Sequence, residues 1–264
     1  MDERLRPIGV FDSGVGGISV LGEIARLLPN EDIMYLGDDR NAPYGTKPEQ
    51  EVLRLSRYEI DRLIAMGCKA IVIACNTVTA VAAQPLRQEL SLPIIGMEPA
   101  LKPASMLSGE GQIIVMATPV TLKQAKFQRL MSLYGHDAIP LPCAGLPEFV
   151  ERGELEGDKL DQRLFELLSP YRDKPIKAVV LGCTHYPFLS AAIRRQLTPG
   201  TPLIDGNLGT ARQLRHVLEQ RGLLRDDKAH RGKIRFFSSE ESEKQVEWMK
   251  RLFAIATQAD FSSR

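Results

Sequence analysis

Two short stretches carry residues suited to proton chemistry. One is Cys75-Asn76-Thr77, which ends the apolar run 70–74. The other is Cys183-Thr184-His185, which ends the apolar run 178–181 after Gly182. The cysteines are 183 − 75 = 108 positions apart. A free thiol titrates near pH 8.5, about one unit above neutrality, and cationic or hydrogen-bonding neighbours lower that value. It can therefore act as general acid or, as thiolate, as general base. Two such groups on opposite faces of a small molecule suit inversion at carbon. One thiolate removes a proton from one face, and the opposing thiol delivers a proton to the other. His185, two residues after Cys183, is placed to take or hold that thiol's proton. A lone buried cysteine at a strand end is usually a packing residue. Two at matching places in a repeat, each followed by Thr or Asn-Thr, favour chemistry. Cys68 and Cys143 lack such a pairing and read as packing residues. His136, His216 and His230 have no motif around them and read as surface residues.

Strands must deliver these groups. A near-continuous β-branched run reads as a central parallel strand covered on both faces. Open α/β sheets place their chemistry at the carboxyl ends of such strands. Ahead of Cys75 the chain reads as a strand at 7–12, the turn SGVGG, a helix stopping at Pro29 and a strand at 33–38. The glycines at 14, 16 and 17 do not form G-x-G-x-x-G, and no phosphate-loop lysine follows. They read as a tight turn that leaves Asp12 and Ser13 at a strand end facing a cleft. The loop DRNAPYGTKP comes next. Thr46 and Glu49 read as a capping box around Pro48, opening a helix to about Met66 that Gly67 ends. A helix to about Leu90 follows Cys75, then a strand at 93–98.

From residue 100 the pattern starts again. Residues 112–121 resemble PIGVFDSGVG; a helix (122–134), a strand (138–143), short helical segments, the second cysteine strand, a helix from near Pro187 and PLIDG (202–206) follow. Ser13 aligns with Thr118 (118 − 13 = 105), Cys75 with Cys183 (108) and Ile94 with Leu203 (203 − 94 = 109). Near-constant offsets favour an internal duplication over chance likeness of apolar strands. Residues 208–264 exceed the repeat and are expected to pack back onto the first half. The expected fold class is α/β: two similar α/β lobes with parallel sheets, related by pseudo-twofold symmetry, with the active site in the cleft between them. Residues 1–98 plus 208–264 would form the Cys75 lobe, and 99–207 the Cys183 lobe.

At 264 residues the chain is long enough for one large domain or two smaller ones. A net charge of +1 argues against a nucleic-acid surface. No run approaches the roughly 18 apolar residues of a membrane helix. The N-terminus has no signal-peptide layout, and only a few residues precede the first strand, so neither a leader nor an N-terminal regulatory extension is expected. A cytoplasmic location follows, where the four cysteines stay reduced. Their spacing contains no C-x-x-C, which argues against a zinc ribbon or a thioredoxin-type pair.

FDSGVGG at 11–17, PYGTK at 43–47, ACNT at 74–77 and GCTHYP at 182–187 resemble the glutamate racemases of the aspartate/glutamate racemase superfamily. The likeness covers residues 7–209 with all four motifs in order. It implies an isomerase that needs no cofactor and no metal, interconverts L- and D-glutamate and supplies D-glutamate for peptidoglycan, hence cell-wall biogenesis and cell shape. It implies Cys75 and Cys183 as the two proton carriers, with Cys183 acting on the L enantiomer and Cys75 on the D. Asp12, Ser13, Tyr44, Gly45, Asn76, Thr77, Thr184 and His185 occupy the family's substrate-binding positions. Thr118 and Thr121 are further polar contacts, and Glu151 matches an acidic site residue. Asp39 and Asn41 depart from the family pattern, and local loop variation is expected there. The expected partner is the small-molecule substrate, with no nucleic acid or membrane. A homodimer is the expected assembly, although the residues themselves do not fix it.

Three other readings stand beside this one. A racemase for aspartate or another amino acid would keep both cysteines. A non-catalytic binding module would be expected to lose one. A thiol redox protein would bring the two sulfurs to bonding distance.

Overall fold

The computed structural model describes residues 2–258. The first half runs β1 (Ile8–Asp12), α1 (Ile18–Leu27), β2 (Ile33–Gly37), α2 (Glu49–Ala65), β3 (Ala70–Ile73), α3 (Asn76–Glu89) and β4 (Ile94–Gly96). The second runs α4 (Leu101–Ser105), β5 (Gln112–Ala117), α5 (Pro119–Lys123), α6 (Ala125–Tyr134), β6 (Ala138–Pro142), α7 (Leu146–Glu151), α8 (Asp158–Leu168), β7 (Ile176–Leu181), α9 (Ser190–Arg195) and β8 (Leu203–Asp205). The chain closes with α10 (Asn207–Gln220), β9 (Ile234–Ser238) and α11 (Glu243–Gln258).

Every strand pair is parallel, as expected when helices cover both faces of a sheet. One sheet has the order β4-β3-β1-β2-β9 and the other β6-β5-β7-β8. Read from its far edge, the second is β8-β7-β5-β6. That is the order of the first with β1 to β4 replaced by β5 to β8. β9 is added at the β2 edge, and α10 and α11 both lie against α1.

The likeness reaches individual hydrogen bonds. Ala74 N donates to Phe11 O at 2.7 Å, and Gly182 N to Met116 O at the same distance. Asp38 N donates to Asp12 O at 3.0 Å, and Cys143 N to Ala117 O at 2.9 Å. Each cysteine therefore stands two residues beyond the last rung of its ladder (Phe11 with Ile73, Met116 with Leu181). One apolar cluster, including Val10, Val72, Met116, Val179 and Leu181, runs through both halves. This shared core holds the two carboxyl ends against each other.

Three local expectations are corrected. The capping box does not form. Pro48 occupies the cap position of α2 with no side-chain cap bond, and Thr46 lies in a 3-10 turn at Tyr44–Thr46. Extended backbone at Pro43 and Pro48 delays the helix past the point where Thr46 could cap it. The helix expected at 122–134 is divided, and β5 stops at Ala117. Thr118 caps α5 by accepting from Thr121 N, and Gln124 turns extended before α6. His230 is half-buried, with Nε2 2.9 Å from Asp32 Oδ1. Gly67 does end α2 at φ +89°, a left-handed position that glycine tolerates.

Candidate active site

Cys75 is the last residue before α3, held extended at φ −140° and ψ 123°. Its sulfur lies 3.5 Å from Ser13 Oγ and receives the N–H of Val78. Burial, with help from the charge of Asp12, pushes this thiol up to about 12. Cys183 follows β7, and its sulfur lies 3.5 Å from His185 Nδ1. The charge of Cys183 bears directly on Cys75, so the two sulfurs occupy one electrostatic neighbourhood. All four cysteines are free thiols.

His185 is buried, which opposes its charged form. Its bonds to Cys183 and to Glu151 outweigh that cost and hold its pKa well above the ordinary imidazole value. Glu151, the last residue of α7, lies 2.7 Å from His185 Nε2 through Oε1. The same oxygen accepts from Val15 N at 3.0 Å. Glu151 thus ties the second cysteine's histidine to the glycine turn of the first half.

That turn explains its own glycines. A Cβ on Gly14 would fall 2.0 Å from Glu151 Oε1, and one on Gly16 would fall 2.4 Å from His185 Nδ1 and 2.7 Å from Thr184 Oγ1. Neither residue has positive φ. The requirement is room for the imidazole and carboxylate arriving from the other half. The sequence reading of a tight turn missed this because the colliding groups lie more than 130 residues away.

Asp12, at the end of β1, is fully buried. It accepts from Gly14 N at 2.9 Å and from Thr184 Oγ1 at 3.3 Å. Burial raises its pKa to about 6; the charge of His185 opposes this and that of Glu151 adds to it. Thr77, Thr118 and Thr121 form a hydroxyl triangle with sides of 2.9, 3.2 and 2.9 Å, joining α3 to α5 across the halves. Asn76 is buried beside Cys75, and neither polar atom of its side chain has a protein partner among the described residues. A buried, unpaired amide at a helix start is available to a polar ligand.

Tyr44 is buried and donates to Asp38 Oδ2. Gly45 abuts the second half, since a Cβ there would meet Thr118 Cβ at 2.8 Å. Sequence reasoning did not single out Asp38. Its carboxylate also accepts from Asn41 Nδ2 at 3.0 Å, so it organises the whole PYG loop. A second acidic residue after an apolar strand was the available signal. Asp39, one of the two departures noted, has its carboxyl raised to about 7 by burial. Cys68 and Cys143 are buried in apolar surroundings, and burial raises each to about 12. Among the described residues, no cluster of three or more His, Cys, Asp or Glu side chains could hold a metal ion, and no helix is long and apolar enough to cross a membrane.

All thirteen singled-out residues lie where the carboxyl ends of the two sheets meet. The arrangement can hold the Cys75 thiol protonated, keep a charged imidazole beside Cys183, and offer hydroxyl, amide and carboxylate contacts around them. The family model for Asp/Glu/hydantoin racemases matches residues 8–214. The chain belongs to this family. As an Asp/Glu/hydantoin racemase family member, it is 48% identical over 256 residues to the glutamate racemase of Clostridium botulinum (strain Alaska E43 / Type E3), covering 96% of this chain and 98% of that protein. The crystal structure of glutamate racemase from Francisella tularensis in complex with D-glutamate superposes with TM-score 0.80 at 31% identity, covering 97% and 95% of the two chains. Escherichia coli glutamate racemase in complex with L-glutamate and activator UDP-MurNAc-ala superposes with TM-score 0.83 at 30% identity, covering 95% of each.

Proposed function

We propose that this racemase-family chain interconverts L- and D-glutamate without a cofactor, using Cys75 and Cys183 as opposed proton carriers. One observation carries the reading: two free, buried thiols end equivalent strands of two repeated sheets, with Cys183 close enough for its charge to bear on Cys75. The 48% identity to a glutamate racemase, and the glutamate bound in two relatives of the same fold, support the choice of substrate.

With L-glutamate, the Cys183 thiolate takes the α-proton, and the electron pair of that C–H bond stays on the α-carbon. The Cys75 thiol donates its proton to the opposite face. The products are D-glutamate, a Cys183 thiol and a Cys75 thiolate. Loss of the proton from Cys183 to solvent and uptake of one from solvent at Cys75 restore the starting form. The His185 imidazolium steadies the Cys183 thiolate, and Glu151 steadies the imidazolium. Asp12 pairs with the α-ammonium. Ser13, Asn76, Thr77, Thr184 and the first N–H groups of α3 bind the carboxylates, as helix N-termini do. Tyr44 and Gly45 close one wall, and Thr118 and Thr121 the other. Preorganised donors of this kind stabilise a carbanion-like transition state.

The two walls would be lobes built from residues 1–98 plus 208–264 and from 99–207. Two working thiols suit a reducing cytoplasm, where D-glutamate would feed peptidoglycan synthesis. A homodimer is proposed as the assembly. The test is incubation of the purified protein with L-glutamate and no additive, followed by chiral chromatography. D-glutamate should accumulate to a one-to-one mixture, with L-aspartate converted at least about tenfold more slowly, as one methylene of pocket fit allows. No D-glutamate from L-glutamate, or faster conversion of aspartate, would overturn the assignment.

A further inference from the structure

Glu151 makes both of its contacts from the last residue of α7, a helix of six residues. So short a helix does little to fix its own end. Past Glu151 the chain turns through Gly153, at φ +78°. An outside group reaches this turn. Trp248 of α11 donates its indole N–H to Val150 O at 3.1 Å, and that carbonyl also accepts from Gly153 N at 3.0 Å. The indole ring lies over the turn, 3.7 Å from where a Cβ on Gly153 would stand.

The other side of α11 is anchored in the first half. Phe253 meets Phe236 of β9 edge-on at 5.8 Å, and Ala256 packs on Gly22 of α1, 3.0 Å from a Cβ placed there. Met249, next to Trp248, is buried against Gly37 at the end of β2. The helix therefore refers the position of α7's end to the same sheet that carries Asp12.

We propose that Trp248 is a positioning residue, which sets the Glu151–His185 contact from the opposite half of the molecule and so keeps Cys183 in its working state. This rests on the reading above, in which Cys183, His185 and Glu151 act in proton transfer. Trp248 does not touch the substrate. It acts through the carbonyl preceding Glu151, and its loss should be felt only while Glu151 can hold His185.

A double-mutant cycle with Glu151→Gln tests this. Trp248→Phe keeps a ring over Gly153 and removes the N–H. Losing one hydrogen bond of this kind should lower kcat/KM about 3- to 10-fold. In the Glu151→Gln background the same change should cost less than about 2-fold, because the group it positions is already lost. Equal factors in both backgrounds, or a Trp248→Phe protein with native kcat/KM, would overturn the proposal. A second measurement needs neither turnover nor a change at 248. Trp248 is the only tryptophan of the chain, so emission excited selectively in the indole band reports this side chain alone. Glu151→Gln should shift the emission maximum relative to the native protein, and identical spectra would count against the coupling. Absence of D-glutamate formation by the native protein would defeat the racemase reading separately, whatever the spectra show.

Discussion

Cys75 and Cys183 end equivalent strands, yet they sit in different electrostatic settings. Cys75 has a hydroxyl and a backbone N–H at its sulfur, and burial pushes it to about 12. Cys183 has an imidazole, itself backed by a carboxylate and held well above its ordinary pKa. The repeated backbone sets where the sulfurs stand, and the added side chains set what surrounds each of them. Burial thus favours the thiol form at Cys75, while the imidazole beside Cys183 is held toward its charged form. The repeat thus places one thiol at the end of each sheet, while its broken symmetry gives the two thiols different neighbours.

The sharpest way to break this comparison is to remove one sulfur at a time. Cys75→Ala and Cys183→Ala should each lower racemisation by at least about 10²- to 10⁴-fold, the usual weight of a general acid or base. A Cys75 variant with near-native turnover would mean that Cys183 alone serves both faces.

The next largest effect concerns Asp12. Asp12→Asn should lower kcat/KM by about one to two decades, the usual cost of a lost charge-assisted contact. Its stability should behave differently. Burial raises the Asp12 pKa from 3.8 to about 6, so the folded chain holds this proton more tightly than the unfolded one. That contribution to stability is present below the unfolded value and falls away as pH rises toward about 6. The asparagine variant cannot ionise, so its urea midpoint relative to the native protein should rise between about pH 4 and about pH 7. Parallel loss of stability and activity would make Asp12 a turn former.

The smallest effect is expected at the unpaired cysteines. Cys68→Ala and Cys143→Ala should keep activity within about 2-fold while costing about 1 kcal/mol in denaturant unfolding, since each only fills space. A large activity loss at Cys143 would show that the second half holds more than one working thiol.

The two halves also differ in how much the chain revealed of them. The runs ending at Cys75 and Cys183 were legible because a β-branched stretch stopped by polar residues has few other readings. Matching offsets disclosed the repeat, and the common strand order agrees with it. Glu151 was singled out only through family likeness, and its link to His185 and Val15 was not foreseen at all. It depends on contact between segments more than 30 and 130 residues apart, which local pattern does not encode. The Thr46 capping box failed for the opposite reason, because two nearby prolines overruled a valid local motif. Asp38 offered only a weak signal and Trp248 none, and both became meaningful through their partners.

One measurement tests the proposed opposition of the two thiols most directly. L-glutamate is incubated with the protein in heavy water, and the α-position of both enantiomers is examined by mass spectrometry or proton NMR at low conversion. With Cys183 removing a proton from one face and Cys75 delivering one to the other, early D-glutamate should carry deuterium while unreacted L-glutamate stays largely protiated. The reverse reaction from D-glutamate should give the mirror result. Early D-glutamate that keeps substantial protium at the α-carbon would mean that one group carries the proton across, contradicting the two-thiol account even if both cysteines proved essential.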